Sequence, residues 1–367
     1  MGYIWELERW PSFRWDSTSI APLLARIRNE QGRLLGLMEN VGFPLREETL
    51  LRCLTDEIQK TSDIEGEKLA AEAVRSSLAR QLGIDIGGLL PADRHVDGIV
   101  ALVLDATRNH DQMLTEDRLF GWQASLFPTG RTGMTRIAAG AWRNDKEGPM
   151  RVISGSMGKE KLHFQAPPAA RLQDEMNDFL AWFNADDTDG DPVIKSAIAH
   201  LRFVTIHPFD DGNGRIARAI ADMALARADG SPERFYSMSA EIRKERTAYY
   251  DILETTQKGD LEISVWIRWY LECLGRAIES SRESLKVVKE KTDFWDRLRD
   301  IDLNARQRKM LRLMQDGFQG KLTTSKWATL CKCSQDTAGR DIAGLVDAGI
   351  LKKSEAGGRS TGYEIIR

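Results

Sequence analysis

Cysteine and histidine are scarce in this chain of 367 residues, which contains four cysteines and five histidines. The four cysteines, Cys53, Cys273, Cys331 and Cys333, are too few for a disulfide framework at this length, which predicts a reducing compartment. Cys331 and Cys333 form a Cys-x-Cys pair without a neighbouring histidine or second pair, so we expect half-buried helix positions rather than a zinc site.

Long apolar runs are also lacking. No stretch approaches the roughly 20 apolar residues that a membrane-spanning helix needs. The N-terminal segment, MGYIWELERWPSFRWD, has no basic start followed by an apolar run, so no signal peptide is expected. Together these absences predict a cytoplasmic protein with no membrane association.

A strong overall charge is missing too, since the net charge is only −3. Its distribution is nevertheless uneven. Residues 304–367 carry 12 Lys/Arg and 6 Asp/Glu, a net charge of +6, so residues 1–303 carry a net charge of −9. A basic tail on an acidic body predicts separate partners for the two parts.

Helical spacing of apolar residues dominates the chain and predicts a mainly α fold. The spacing occurs in ten segments, at residues 20–40, 44–62, 66–82, 95–113, 115–126, 168–184, 193–206, 213–229, 239–257 and 260–290. Turn signals at residues 87–93, 184–192 and 228–234 separate several of them.

One region, residues 135–164, lacks helical spacing and predicts a β-hairpin. Its expected strands are Ala141–Arg143 and Met150–Ile153, joined by the turn NDKEGP. A lone hairpin is marginally stable, so it must pack on the helices.

The tail, residues 304–367, has the pattern of a winged helix-turn-helix domain. Three helical segments precede a two-stranded wing at residues 350–366 with a Gly-Gly-Arg turn. The third helix would be a recognition helix, whose exposed side would present Ser334, Gln335, Thr337 and Arg340. DNA binding and a protein-interaction or dimer module are both open interpretations.

The most informative stretch is residues 207–218, HPFDDGNGRIAR, which lies between two apolar helical segments. A Gly-Asn-Gly turn at a helix start presents backbone N–H groups to an anion. Arg215 and Arg218 can bind phosphate oxygens, and Asp211 can hold Mg²⁺. His207 can accept a proton from an attacking hydroxyl. The pattern predicts a nucleotide-triphosphate site with a base beside it.

This stretch resembles the signature of the Fic family, HxFx[DE]GNGRxxR, at every defined position. The resemblance implies a Fic helical core and transfer of AMP from ATP to a Ser, Thr or Tyr hydroxyl of a target protein or of the chain itself. It implies that His207 is the general base and that Asp211 binds Mg²⁺. It further implies an anion hole from the amides of Gly212, Asn213 and Gly214, with Arg215 and Arg218 on the β- and γ-phosphates.

The resemblance also gives a role to the hairpin, as a flap near residues 140–155 that holds the target segment by strand addition. The adenine pocket would lie between this flap and a later helix. It maps to Val152, Ile153, Ser154 and Gly155 and to Tyr249, Tyr250 and Gln257. One tyrosine could stack on the base, with core packing as the alternative. His200 is expected to be a core histidine, and His95, His110 and His163 are expected to be structural.

A second motif precedes the first. Residues 61–66, TSDIEG, match the inhibitory pattern [ST]xxxE[GN] of Fic proteins through Thr61, Glu65 and Gly66. In the class that this resembles, an inhibitory helix (here near residues 50–66) directs a glutamate at the second signature arginine. We expect Glu65 to form a bidentate ion pair with Arg218, which would keep that arginine from orienting the γ-phosphate.

Residues 1–43 resemble the short N-terminal domain of many bacterial Fic proteins and contain the aromatic cluster Trp5, Trp10, Phe13 and Trp15. A small aromatic core is expected, with a partner or dimer surface as the alternative. The predicted domains are therefore residues 1–43, 44–290 and 304–367.

Two other functions remain open at this point. The same site could use another phosphate donor or remove AMP, with Glu65 positioning a hydrolytic water. Alternatively, the chain could be a DNA-binding regulator whose Fic body senses nucleotide. A homodimer is possible, but no interface can be identified from the sequence.

Overall fold

The computed structural model describes residues 2–84, 90–155, 159–185, 190–315, 322–354 and 361–366. The chain divides into two compact units, Met1–Ser284 and Leu285–Arg367. Turn signals at 87–93 and 184–192 lie partly outside the described residues. The signal at 228–234 coincides with a helix end capped by Gly230 at φ 61°.

The first unit is built from helices, as the sequence predicts. Its helices are α1 (Ser17–Asn40), α2 (Phe43–Ile64), α3 (Ala71–Leu82), α4 (Arg94–Arg108), α5 (Glu116–Leu126), α6 (Leu172–Asn184), α7 (Pro192–Ile206), α8 (Asn213–Asp229), α9 (Met238–Lys244), α10 (Arg246–Gln257) and the part of α11 (Ser264–Arg297) up to Ser284. The predicted helix at 239–257 is two helices, because Glu245 leaves helical geometry at φ −115° and ψ 36°. In the part of the chain that the structure describes, no helix is both long and apolar enough to cross a membrane.

An apolar core of the first unit is formed by residues of α2 to α8. Phe179, Phe183, Phe203 and Phe209 are all completely buried in it. Each such ring contributes roughly 1.5–3 kcal/mol relative to an exposed side chain. Since α7 and α8 pack side by side, the core fixes both ends of the 207–212 connection between them.

The predicted hairpin is present but in a different place. Strands β1 (Arg131–Thr132) and β2 (Thr135–Arg136) form one small pair, while β3 (Arg151–Ser154) pairs antiparallel with β4 (Lys161–Gln165). The predicted strand 141–143 is therefore wrong, and the partner of β3 follows it in the chain. The reason is the buried Arg143, which donates its backbone N–H to the Pro208 carbonyl at 2.9 Å and so ties this segment to the 207–212 connection.

The aromatic N-terminus packs on the rest of the first unit. Trp5 is buried beside Phe164 of β4, and its indole N–H donates to the Gln165 carbonyl at 2.8 Å. Trp10 donates in the same way to the Glu175 carboxylate on α6 at 2.8 Å. These contacts favour the aromatic-core interpretation for the two tryptophans.

The second unit begins with the last residues of α11. In its described residues three helices and then two antiparallel strands follow, in the order that the winged-helix pattern predicts. They are α12 (Ala305–Gln315), α13 (Thr324–Cys331), α14 (Gln335–Asp347), β5 (Leu351–Lys353) and β6 (Tyr363–Ile365). Trp327 and Leu345 are buried in its core. The predicted Gly-Gly-Arg turn of the wing lies outside the described residues.

Candidate active site at the start of helix α8

The connection from α7 to α8 presents backbone amides at the start of α8. Gly212 precedes the helix at φ 90°, and an added Cβ would lie 3.0 Å from side-chain atoms of both Leu126 and Phe127. A residue other than glycine would therefore be strained and crowded here. The first helical bond runs from the Ile216 N–H to the Gly212 carbonyl at 3.0 Å. The amides of Asn213, Gly214 and Arg215 precede that bond and are suited to bind an anion.

The Gly212 amide, which was predicted to be part of the anion hole, is already hydrogen-bonded. It donates to Oδ1 of the adjacent Asp211 at 2.6 Å. The amides left for an anion in this arrangement begin one residue later than predicted, at Asn213. Asp211 is 38 % exposed, and the same oxygen lies 4.0 Å from Nη2 of Arg215.

Asn213 holds the connection rigid with its side chain. Its Oδ1 accepts the Phe209 N–H at 2.9 Å and its Nδ2 donates to the Phe209 carbonyl at 2.7 Å. Because Phe209 is buried completely, this pair of hydrogen bonds anchors the connection to the core. Only the backbone of Asn213 is therefore available to a ligand.

His207 ends α7 in the left-handed region at φ 51° and is partly buried. Its Nδ1 lies 3.2 Å from the Val204 carbonyl, a pure acceptor, so Nδ1 carries the proton and Nε2 keeps its lone pair. Arg143 holds the His207 carbonyl at 2.7 Å. Burial lowers the pKa of His207 to about 4, with the charge of Arg143 adding to the effect. The imidazole is thus neutral at pH 7 and can accept a proton.

Arg218 is almost completely buried and is held by the C-terminal turn of α2. Its Nε donates to the Thr61 hydroxyl at 2.7 Å, and its Nη2 donates to the Thr61 carbonyl at 3.0 Å and to Oε1 of Glu65 at 2.7 Å. The pair with Glu65 is therefore not the bidentate one that the sequence predicted. Thr61 occupies the Nε edge, and only one carboxylate oxygen contacts the guanidinium.

The Glu65 carboxylate lies directly over α8. A Cβ added to Gly214 would be 2.2 Å from Oε1 of Glu65 and 3.2 Å from Nη1 of Arg218. The absence of a side chain at Gly214 is what allows this approach, since its backbone is ordinary helix.

Arg215 is held by a second carboxylate, which the sequence analysis did not identify. Its Nη1 donates to Oε2 of Glu67 at 3.1 Å, and its guanidinium stacks on Phe127 at 5.1 Å. Glu67 also contacts Nε2 of His95 on α4. This contact raises the pKa of His95 and lowers that of Glu67. Glu67 follows the inhibitory pattern by one residue, so its acidic character was the only signal available.

The flap residues lie at the end of β3. Val152 is half-buried opposite Phe164, whereas Ile153 is 56 % exposed and Ser154 and Gly155 are exposed. His163 on β4 bridges Ser154 and Glu254 on α10, with 2.6 Å from its Nε2 to the hydroxyl and 2.6 Å from its Nδ1 to the carboxylate. This bridge attaches the hairpin to α10.

The three predicted adenine contacts on α10 differ in exposure. Tyr249 is buried, and its hydroxyl bonds to Nε2 of His200 at 2.8 Å, so it is a core residue. Gln257 is buried as well and donates to the Thr205 hydroxyl at 3.2 Å. Neither is placed to contact a base. Tyr250 is 38 % exposed, and its hydroxyl donates to the Ile64 carbonyl at 3.4 Å.

Comparison with known families identifies the region around this site. The description Fic/DOC family matches residues 113–225, and Domain of unknown function (DUF4172) matches residues 3–84. The chain carries a Fic/DOC domain. The second match extends beyond residue 43 and includes Glu65 and Glu67, while the predicted boundary at 43 remains a prediction.

Several relatives carry the name protein adenylyltransferase. The chain is 36 % identical to "Protein adenylyltransferase Fic" of Aedes aegypti over 106 residues. This aligned region covers 28 % of this chain and 19 % of the relative. It is 35 % identical over 91 residues to "Protein adenylyltransferase fic-1" of Caenorhabditis elegans, 24 % of this chain and 17 % of the relative. The chain thus spans about a fifth of the length of these curated relatives.

Solved structures share the fold. A Fic family protein from Desulfovibrio desulfuricans aligns over 94 % of this chain and 96 % of that one, with 19 % identity and a TM-score of 0.53. A Fic domain containing signaling protein from Bacteroides thetaiotaomicron aligns over 71 % of this chain and 97 % of that one, with 17 % identity and a TM-score of 0.53. These likenesses support the helical Fic fold.

Proposed function

We propose that this protein transfers AMP from ATP to a hydroxyl side chain of a target protein or of itself. The observation that carries this proposal is the grouping at the start of α8. A neutral His207 with a free Nε2 lies beside the amides of Asn213 and Gly214 and the guanidiniums of Arg215 and Arg218.

The chemistry needs one base and one anion site. The acceptor oxygen attacks the α-phosphorus while its proton passes to Nε2 of His207. The bond between the α-phosphorus and the bridging oxygen of the β-phosphate breaks, and pyrophosphate leaves. Amides and guanidiniums fixed before the reaction stabilise the charge that develops on the phosphates.

Asp211 is the residue that would hold Mg²⁺. It is partly exposed beside the amides, and Mg²⁺ in phosphate sites commonly uses one or two carboxylates together with waters and phosphate oxygens. Within the described residues, no group of three or more His, Cys, Asp or Glu could hold a metal, and Asp211 would supply a single carboxylate. When bound, the ion would neutralise charge on the phosphates.

We further propose that the site is restrained by two carboxylates rather than one. Glu65 holds Arg218 and Glu67 holds Arg215, and both glutamates follow the end of α2. A guanidinium occupied by a carboxylate offers fewer donors to phosphate, so ATP can bind without the alignment that in-line attack requires.

Labelling of protein by α-labelled ATP and Mg²⁺ tests the proposal. The variants are wild type, Glu65→Gly, Glu65→Gly/Glu67→Gln and Glu65→Gly/His207→Ala, with Glu8→Gly in an exposed turn as the matched control. We expect weak labelling in wild type and in the control, strong labelling in Glu65→Gly, more in Glu65→Gly/Glu67→Gln, and none without His207. If Glu65→Gly labels neither itself nor lysate protein, AMP transfer is refuted, and release of AMP from modified protein becomes the activity to test.

A second proposal concerns residues 304–367, for which we propose DNA binding. Ser334, Gln335 and Arg340 are exposed at the start and on the side of α14, and this segment carries the basic excess of the chain. Fluorescence anisotropy with a duplex of about 20 base pairs should show binding that weakens steeply between about 50 and 200 mM salt. Arg340→Ala should weaken it and Arg136→Ala, in the first unit, should not. Absence of binding at low salt would leave a protein-interaction module.

A further inference from the structure

Apart from the candidate active site, the first unit contains a cavity beside α7. It lies on a different face of α7 from His207. Residues at helical spacing along α7 form one wall, and α6 and the segment before α1 form the others. The cavity measures about 380 Å³, and its lining includes Phe13, Trp15, Trp182, Ile194, Ile198 and Arg202. This volume is in the range of small-molecule sites.

Arg202 is the unusual member of the lining. It is 4 % exposed, and its guanidinium lies over the rings of Phe179 and Trp182, at 5.7 and 5.5 Å. Among the described residues it has neither an ion pair nor a side-chain hydrogen bond, and its Nε is buried without a partner. Burial lowers the pKa of Arg202 to about 10.

Glu175 and Asp178 act on Arg202 through their charge, but among the described residues neither forms an ion pair with it, and Glu175 and Asp191 are bonded to other groups. Glu175 accepts from the Trp10 indole at 2.8 Å and pairs with Arg171 at 2.5 Å. Asp191, on the cavity wall, accepts the Val193 N–H at 2.8 Å and lies 3.5 Å from Arg28. In the part of the chain that the structure describes, no carboxylate therefore lies within ion-pair distance of Arg202, although buried charges are normally paired and hydrogen-bonded.

Two other arginines of the same unit, the partly buried Arg227 and the buried Arg234, show what a structural role requires. Arg227 also stacks on an aromatic ring, Phe183 at 4.7 Å, but it donates to the carbonyls of His110 and Gln112 at 2.6 and 2.9 Å. Arg234 also has a buried Nε without a hydrogen-bond partner, but it pairs with the Asp222 carboxylate at 2.9 Å and donates to the Asp222 carbonyl at 2.9 Å. Stacking alone offsets only part of the cost of burying a guanidinium.

We propose that this cavity binds a small flat apolar molecule that carries one carboxylate. Only Nε of Arg202 is enclosed, and the side chain lines the cavity, so its terminal amino groups are left to bind the carboxylate. Phe13 and Trp15 provide aromatic surfaces for the apolar part. The site is independent of AMP transfer and requires none of the residues in the candidate active site.

Isothermal titration calorimetry of the full chain with 2-naphthoate tests this, with the neutral analogue 2-naphthalenemethanol in a parallel titration. We expect wild type to bind the carboxylate at least about tenfold more tightly than the alcohol, because a charge-assisted bond to a buried guanidinium contributes ~1.5 kcal/mol or more. Arg202→Met, which keeps the stem and removes the charge, should lose this preference. Ile198→Trp, which fills the cavity and leaves Arg202 in place, should bind neither probe.

Thermal unfolding without a probe separates a ligand site from a structural arginine. Arg202→Met should unfold at or above the wild-type temperature, because no bond is lost, whereas Arg227→Met should unfold lower. A wild-type chain that binds neither probe would overturn the proposal, as would equal binding of the two. A large fall in the unfolding temperature of Arg202→Met would also overturn it, since the stacked guanidinium would then be structural.

Discussion

Substituting Gly214 by alanine should change the stability of the first unit in opposite directions, depending on whether Glu65 is present. In wild type the new Cβ would lie 2.2 Å from Oε1 of Glu65, so the carboxylate must leave Arg218. Loss of a charge-assisted hydrogen bond costs about 1.5–3 kcal/mol. Glycine to alanine in a helix returns up to about 1 kcal/mol. The net expectation is a destabilisation of roughly 0.5–2 kcal/mol.

In the Glu65→Gly background the Glu65 side chain is gone, and the next nearest atom is Nη1 of Arg218 at 3.2 Å. Gly214→Ala should then be neutral or stabilising by up to about 1 kcal/mol. Differential scanning calorimetry of the four proteins completes the double-mutant cycle, and a coupling of about 1.5–3 kcal/mol is expected. Additive effects would refute the direct contact between Glu65 and the start of α8.

Further predictions concern pH and buried charge. Because His207 must be neutral to accept a proton and its pKa is about 4, labelling by Glu65→Gly should be independent of pH near neutrality and fall only as the pH approaches about 4. The Glu67–His95 contact raises the pKa of His95, so its stabilisation is full below the ordinary histidine pKa and is lost as the pH rises through the raised value. The same contact lowers the pKa of Glu67. The stabilisation linked to Glu67 is therefore lost in acid, as the pH falls through the lowered value. Glu67→Gln should accordingly reduce the dependence of the unfolding temperature on pH above neutrality, and an unchanged profile would contradict this. Asp222→Ala should cost about 3–5 kcal/mol by calorimetry, because Arg234 would be left buried without its partner. A loss below about 1 kcal/mol would contradict that pairing.

Local sequence patterns predicted the helices well, because helical spacing and caps are encoded within the helices themselves. The segment 213–229 matches α8 at both ends, since Gly212 and Gly230 at positive φ flank it. The hairpin was misplaced for the opposite reason. Ala141–Arg143 has strand-like residues, but bonds between Arg143 and the distant Pro208 and His207 fix its conformation. Such contacts are not visible in a local pattern.

The same distinction applies to the candidate site. The residues of one continuous stretch, from His207 to Arg218, could be identified because the chemistry and the backbone geometry both lie in that stretch. Tyr249 could not be assigned from spacing, because its burial depends on a hydrogen bond to His200 on another helix. Glu67 was overlooked since its meaning depends on Arg215, 148 positions later.

The turn after α2 explains how one short segment can occupy both arginines. The Ser62 carbonyl accepts the N–H groups of Glu65 and Glu67, each at 3.0 Å, and Gly66 between them adopts φ 90°. These bonds fix the two carboxylates relative to each other, so a movement of the end of α2 that frees Arg218 also withdraws Glu67 from Arg215. Removing Glu65 alone leaves Arg215 held, which is why a single substitution should release only part of the activity that displacement of the whole segment would release.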